Sequence, residues 1–205
     1  MARIKHTKTE LKAQRDAQRR YKRFLPTLQL KKQQLQLELR NLEAGMREKE
    51  KEEKEARDRL RPWVQMFTES FDFRAHLSTE NIVTTTGNIA GVNIPVLDRI
   101  DFEMHTPDLL STPPWVDDGI RALRQLTHRR IEQHVMQQQH DLLSYELRVT
   151  TQRVNLFEKV KIPETIENIR IIRIFLGDVQ TADVVRSKLA KSKSPEQSPG
   201  EEEAA

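Results

Sequence analysis

His128, His134 and His140 are the side chains in this sequence best suited by type to hold a divalent metal ion. Histidines that share a zinc ion on a helix stand four residues apart, so that both imidazoles occupy one face. The spacing here is six, which turns successive rings onto different faces, and no helical metal site is expected. His128 has Glu132 four residues on, which reads as a surface pair. The glycines, Gly45, Gly87, Gly91, Gly119, Gly177 and Gly200, are isolated, and none precedes a Lys-Ser or Lys-Thr pair that would make a phosphate loop. No serine sits in a nucleophile elbow. The carboxylates lie among basic neighbours, with none alone on an apolar stretch that would shift it toward acid–base work. With no cysteine there is no thiolate nucleophile, disulfide or thiolate-held metal. The expectation is a chain that is not an enzyme and uses no cofactor.

The composition says what kind of scaffold replaces an active site. Of 205 residues, 32% are charged, 36% hydrophobic and only 5% aromatic, and the mean hydropathy is -0.73. That balance does not fill a thick core, but it suits long helices that bury one narrow stripe. No apolar run approaches the roughly 18 residues of a membrane span. The charged start, Met1 to Lys8, has no apolar stretch behind it and does not read as a secretion signal. A cytoplasmic chain that meets membranes only through partners is expected. The formal charge of +4 and the pI near 9.4 admit nucleic acid. Acidic residues are nevertheless interleaved with the basic ones, as on a solvated helix face rather than a phosphate-binding patch.

Residues 7–60 are rich in Leu, Lys, Gln, Glu, Arg and Ala, all strong helix formers. A heptad seam runs through Leu11, Gln14, Gln18, Tyr21, Leu25, Leu28, Lys32, Leu35, Leu39, Leu42 and Met46. Its alternating steps of three and four favour a left-handed coiled coil, with the polar members fixing register. Pro26 inside the pattern predicts a kink or two successive helices. Beyond Met46 the seam weakens, and that end is expected to face solvent or another surface.

The first segment is assigned to residues 1–62. From 63 to 114 the composition changes to a mixed insert containing five prolines, counting Pro62. Val92, Ile94 and Val96 alternate, as do Ile100, Phe102 and Met104, which predicts short strands around a turn at Thr86-Gly87-Asn88. Pro95 restricts its strand to an edge. A two-stranded insert is marginal alone and must lean on the helices or on a partner. A second helical segment spans 115–191, with Ile131, Val135, Leu142, Tyr145, Val149 and Leu156 at heptad steps. The stripe then moves to Val160, Ile162, Ile166, Ile169 and Leu176, a break in the repeat beside the helix-disrupting Pro163. The tail, 192–205, has the composition of a disordered segment. The two helical regions would reach about 80 and 110 Å at 1.5 Å per residue. The predicted fold is mostly α: two long helices forming an antiparallel coiled-coil hairpin, with a small β-hairpin-containing insert between them. Periodicity alone equally allows a homodimeric coiled-coil scaffold or adaptor.

Two segments carry more than their composition. Gly87-Asn88-Ile89-Ala90-Gly91-Val92-Asn93-Ile94-Pro95-Val96 resembles the middle of the D subunit of V/A-type ATPases. Thr151-Gln152-Arg153-Val154-Asn155-Leu156-Phe157-Glu158-Lys159-Val160-Lys161-Ile162-Pro163 resembles the C-terminal signature of the same family, and Ile166-Glu167-Asn168-Ile169-Arg170 continues it. Thr7-Lys8-Thr9-Glu10-Leu11 and Leu28 to Leu35 are also similar, so the resemblance covers about residues 5–180. The motif positions are Asn88, Ile89, Ala90, Gly91, Val92, Pro95, Arg153, Val154, Asn155, Glu158 and Pro163. Pro26, the Gln- and His-rich stretch from Glu132 to His140, and the acidic tail depart from the pattern. The resemblance implies a central-stalk rotor shaft for ATP synthesis or ATP-driven ion transport, hydrogen ion transport included. The implied partners are the hexamer of A and B subunits, the small F subunit, and the C subunit on the membrane-ring side. It implies neither a nucleic-acid partner nor direct membrane insertion. The insert is expected to touch the hexamer or the F subunit and to tune the ATPase rate.

Overall fold

The computed structural model describes residues 4–61, 72–105, 108 and 112–193. Pro62 and Trp63, where the first segment was expected to give way to the insert, lie outside them, as does the tail from residue 194. The described chain runs α1 (Lys8–Leu60), a single turn α2 (Phe73–His76), β1 (Leu77–Ile89), β2 (Val92–Met104), α3 (Val116–Leu156), a π-helical turn (Phe157–Lys161) and α4 (Ile162–Lys193). The chain is thus mostly helical, with a long helix on each side of one antiparallel hairpin, as its sequence predicts. It divides into two units, Met1–Thr27 with Val154–Ala205, and Leu28–Arg153.

Helix α1 begins at a capping arrangement: the Glu10 amide donates to Thr7 Oγ1 at 3.2 Å, which satisfies one of the free amides of the first turn. It continues through Pro26 without the expected interruption. Proline there forfeits one backbone hydrogen bond, and the half-buried Leu25 and Leu28 on either side keep the stripe in place. Helix α3 opens on Asp117 and Asp118, carboxylates that favour a helix N-terminus.

In the unit Met1–Thr27 with Val154–Ala205, α1 and α4 pair antiparallel. His6 stacks near Phe175 at 4.8 Å between ring centroids, Asn168 donates to Gln14 at 3.4 Å, and Tyr21 meets Phe157 at 5.1 Å. Val154, Thr165, Ile169 and Ile172 are the buried residues on the C-terminal side of this pair. The break in the repeat falls where the sequence predicts it, and its form is a widened turn. Ile162 N–H donates to Phe157 O, five residues back. Pro163 has no N–H to give and its ring crowds the carbonyl four residues earlier, and a wider turn relieves that clash. Thr165 Oγ1 donates to Lys161 O and Ile162 O, both at 2.9 Å, which ties the turn into α4.

In the unit Leu28–Arg153, α1 and α3 are likewise antiparallel. As α1 advances from Lys31 to Lys49, its partner on α3 recedes from Glu146 to Glu132. Arg129 donates to Glu52 O at 2.7 Å, so α1 beyond Met46 is still engaged rather than left to solvent. The hairpin belongs to this unit. Its strands are 13 residues each, longer than expected because both alternating clusters lie on β2. The pairing runs from Leu77 with Met104 to Ile89 with Val92, with irregularities between Thr79 and Asn81 and between Val83 and Thr84.

Candidate interaction surfaces

The hairpin is held by its tip. Leu35 of α1, Leu143 of α3 and Ile94 of β2 form a buried cluster, and Leu39, Leu42, Leu147, Ile89, Ala90 and Val92 pack around it. Ala90 (φ 51) and Gly91 (φ 76) are the two loop residues, and positive φ at both is what a tight type I′ hairpin turn demands. Glycine takes that conformation freely, whereas Ala90 takes it at a cost while its side chain packs on the cluster. Asn88 closes the turn: its Oδ1 accepts from Gly91 N at 3.1 Å and its Nδ2 donates to Asn93 Oδ1 at 2.8 Å. The turn therefore lies three residues beyond the expected Thr86-Gly87-Asn88. Pro95 pairs with Thr86, and its carbonyl accepts from Gln139 Nε2 of α3. Further along, the Arg124 guanidinium stands 5.3 Å from the centre of the Phe102 ring.

Every expected seam position on α1 lies on its less exposed side: Leu11, Gln14, Gln18, Tyr21, Leu25, Leu28, Lys32, Leu39, Leu42 and Met46 are half-buried and Leu35 is fully buried. On the C-terminal side the expected stripe is displaced. Leu142, Tyr145, Leu156, Val160 and Ile166 are exposed, Tyr145 by 67%, and Val149 is half-buried. The stripe that is buried runs Val135, Leu143, Thr150 and Val154, with Leu147 half-buried between. Before the π turn this is the same heptad, one residue or more out of the expected phase. A preference for large apolar residues over Thr150 and Thr165 accounts for the shift, because a threonine can satisfy its hydroxyl within its own helix and so be buried. Ile169 is buried as expected, and Val135 is too.

Of the motif positions, Val154 is buried, Ile89, Ala90, Val92 and Pro95 are half-buried, and Asn88, Gly91, Arg153, Asn155, Glu158 and Pro163 are exposed. The histidines do not converge. His128 Nδ1 lies 3.7 Å from Glu132, His134 contacts Gln138, and His140 lies between Glu43 and Asp141 at 3.7 and 3.5 Å. Among the described residues no three His, Asp or Glu side chains are placed to hold a metal ion. Lys49 is held above the usual lysine value chiefly by the Glu132 carboxylate, against the opposing effect of burial, with a lesser contribution from Glu52. Of these pairs, Lys49 with Glu132 and His140 with Glu43 join α1 to α3.

A sequence model that describes the D subunit of ATP synthase matches residues 10–192. The chain belongs to the ATP synthase D-subunit family. It is similar to the V-type ATP synthase D subunit of Borreliella burgdorferi, 46% identical over 192 residues that cover 94% of this chain and 95% of that one. It is 35% identical to the D subunit of Chlamydia muridarum, covering 93% and 95% of the two chains. With that of Chlamydia pneumoniae the identity is 32%, covering 93% and 92%. In this family the D subunit is a structural member of the ATP synthase complex and not a catalytic one, so its partners are proteins of that complex. Among the described residues no helix is long and apolar enough to cross a membrane.

Proposed function

We propose that this chain is the central-stalk rotor shaft of a V/A-type ATPase, carrying torque between the catalytic hexamer of A and B subunits and the membrane ring. The observation that carries the reading is the antiparallel helix pair found in each unit of a chain of this family. Two helices locked side by side resist bending and twisting better than one. Each fully buried Leu or Ile in the seam contributes about 1.5–3 kcal/mol to that lock. The outward faces carry many exposed charges beside exposed apolar side chains such as Leu37, Tyr145 and Ile166. Ion pairs at such surfaces are weak, about 0–1 kcal/mol each, which suits contacts that must be exchanged as a shaft turns. The A and B subunits surround one end in this reading, the F subunit lies along the shaft, and the C subunit seats it toward the membrane ring. The hairpin touches the hexamer or the F subunit and tunes the rate, a role supported by its anchored tip and by the exposed Ile82 and Val96.

The test is coupling. The complex is rebuilt in vesicles with and without this chain, and ion movement is followed on addition of ATP. Ion transport only when the chain is present, with the A, B and F subunits co-purifying, is the expected result. Equal transport without it, or a self-associated chain free of those proteins, would instead favour the homodimeric scaffold.

A further inference from the structure

The unit Met1–Thr27 with Val154–Ala205 is strongly basic where the rest of the chain is not. Residues 4–27 hold eight Lys and Arg against Glu10 and Asp16, and residues 154–193 hold eight against five Asp and Glu. The whole chain carries only +4, so the positive charge is gathered in this unit. Part of it lines a groove of about 690 Å³, to which α1 contributes Arg15 and Arg19 and α4 contributes Arg170 and Arg173. Each pair stands about one turn apart on its own helix, a spacing at which like charges repel. Arg170 is relieved by Glu167, whose two oxygens accept from its Nε and Nη2 at 2.9 and 2.7 Å. Among the described residues, Arg15, Arg19 and Arg173 make no ion pair. Ile166 and Ile174 line the same groove and are 48% and 52% exposed.

In the free chain such a groove is unfavourable in two ways: like charges converge, and two isoleucines face water. Departures of this kind from what folding alone favours are found at functional sites. An occupant that relieves both must bring negative charge and apolar surface together. A carboxylate meets the charge best, because its two oxygens match the guanidinium fork, and arginine, weakly hydrated, gives up water readily at an interface. A free phosphate would satisfy the guanidiniums but leave Ile166 and Ile174 in water. We infer that the groove of Arg15, Arg19, Arg170 and Arg173 is the seat of an acidic segment of another protein of the ATP synthase complex, with carboxylates on both sides of an apolar side chain. Seated there, the segment neutralises guanidiniums of both helices at once, and so ties α1 to α4 while it is bound. Membership of the complex, and not the rotor reading, is what this docking site requires.

The test uses the assembled complex. Ile174 is replaced by the photoreactive residue benzoylphenylalanine, and the peptide that cross-links to it is identified by mass spectrometry. The expected partner is a segment of another subunit in which Asp or Glu flanks an apolar residue. The strength of the contact is read by competitive reassembly, with native and variant chains mixed in equal amounts and then counted in the complex. Arg15→Gln combined with Arg173→Gln should be incorporated about tenfold less than the native chain, the effect of two weak charged contacts. High salt should narrow the difference. Lys188→Gln with Lys191→Gln removes the same charge from α4 outside the groove, and should compete nearly equally with the native chain. The urea midpoint of the free arginine variant should not fall, because a repulsion has been removed. Cross-linking to a second copy, to a segment without carboxylates, or to no protein would overturn this assignment. So would equal loss in the lysine variant, which would make net charge the whole effect, or a lower urea midpoint in the arginine variant, which would make these arginines structural. Co-purification of the A, B and F subunits alongside any of those results would leave the rotor reading standing without this site.

Discussion

Leu35 is the residue on which the helix pair and the hairpin meet, and its truncation should loosen both. Its side chain has 0% exposure and touches the cluster of Ile94 and Leu143. Truncation to alanine removes three carbons from that cluster and leaves a cavity bounded by two helices and a strand, none of which can close it alone. Leu→Ala changes at such sites cost about 2–5 kcal/mol, and about 3 is the reasonable expectation here. With a urea dependence of about 2 kcal/mol per molar, the unfolding midpoint should fall by about 1.5 M. Leu37, two positions on, is 58% exposed, and the same truncation there should cost less than about 0.5 kcal/mol. The assay is urea unfolding of both variants followed by circular dichroism, with hydrogen exchange of the β2 amides read alongside. Faster exchange around Ile94 in Leu35→Ala but not in Leu37→Ala is expected. Equal midpoint shifts in the two variants would refute the assignment of the buried face, and unchanged exchange at Ile94 would refute the hairpin's anchorage.

Other expectations follow from the same contacts. Leu35→Asp puts an unpaired charge into the seam and should melt the unit Leu28–Arg153 at lower temperature than Leu35→Ala does; equal melting would argue against a dry seam. Leu143→Ala should cost several times more than Tyr145→Ala in urea unfolding, because the first is 1% and the second 67% exposed; the reverse order would restore the phase expected from sequence. Thr165→Val keeps the shape but removes the hydroxyl bonded to Lys161 O and Ile162 O, and should cost about 1 kcal/mol, with Thr165→Ser nearly neutral. Lys49 has its pKa raised in the folded chain by Glu132, so its contribution is fully present below the unfolded lysine value and is lost as pH rises through the folded one. Lys49→Met should therefore flatten the fall in stability above about pH 10.5, the unperturbed lysine range, and an unchanged alkaline slope would remove Lys49 as its cause.

The helix–hairpin–helix plan is legible because its signals are long and local. The α1 stripe repeats through many turns of strong helix formers, and the alternation from Val92 to Met104 survives the proline in its middle. The turn is not, because Gly87 and Asn88 have turn-forming character, while here Asn88 serves the turn by its side chain from within β1. Pro26 reads as an interruption because its lost hydrogen bond is a local cost, whereas α1 runs on through it with Leu25 and Leu28 half-buried on either side. On α3 both Leu142 and Leu143 are available, and only the facing Leu35 and Ile94 decide between them. The arginine groove joins positions some 150 residues apart, and no reading along the sequence brings Arg15 to Arg170.

Rotation itself is the most direct test of the shaft. The A and B hexamer of the assembled complex is fixed to a surface, and a bead is attached to Lys54→Cys, an exposed position of α1 in a chain with no other cysteine. Steady one-way turning of the bead when ATP is added is the predicted result. A bead that stays still against the hexamer while ATP is being hydrolysed would contradict the account.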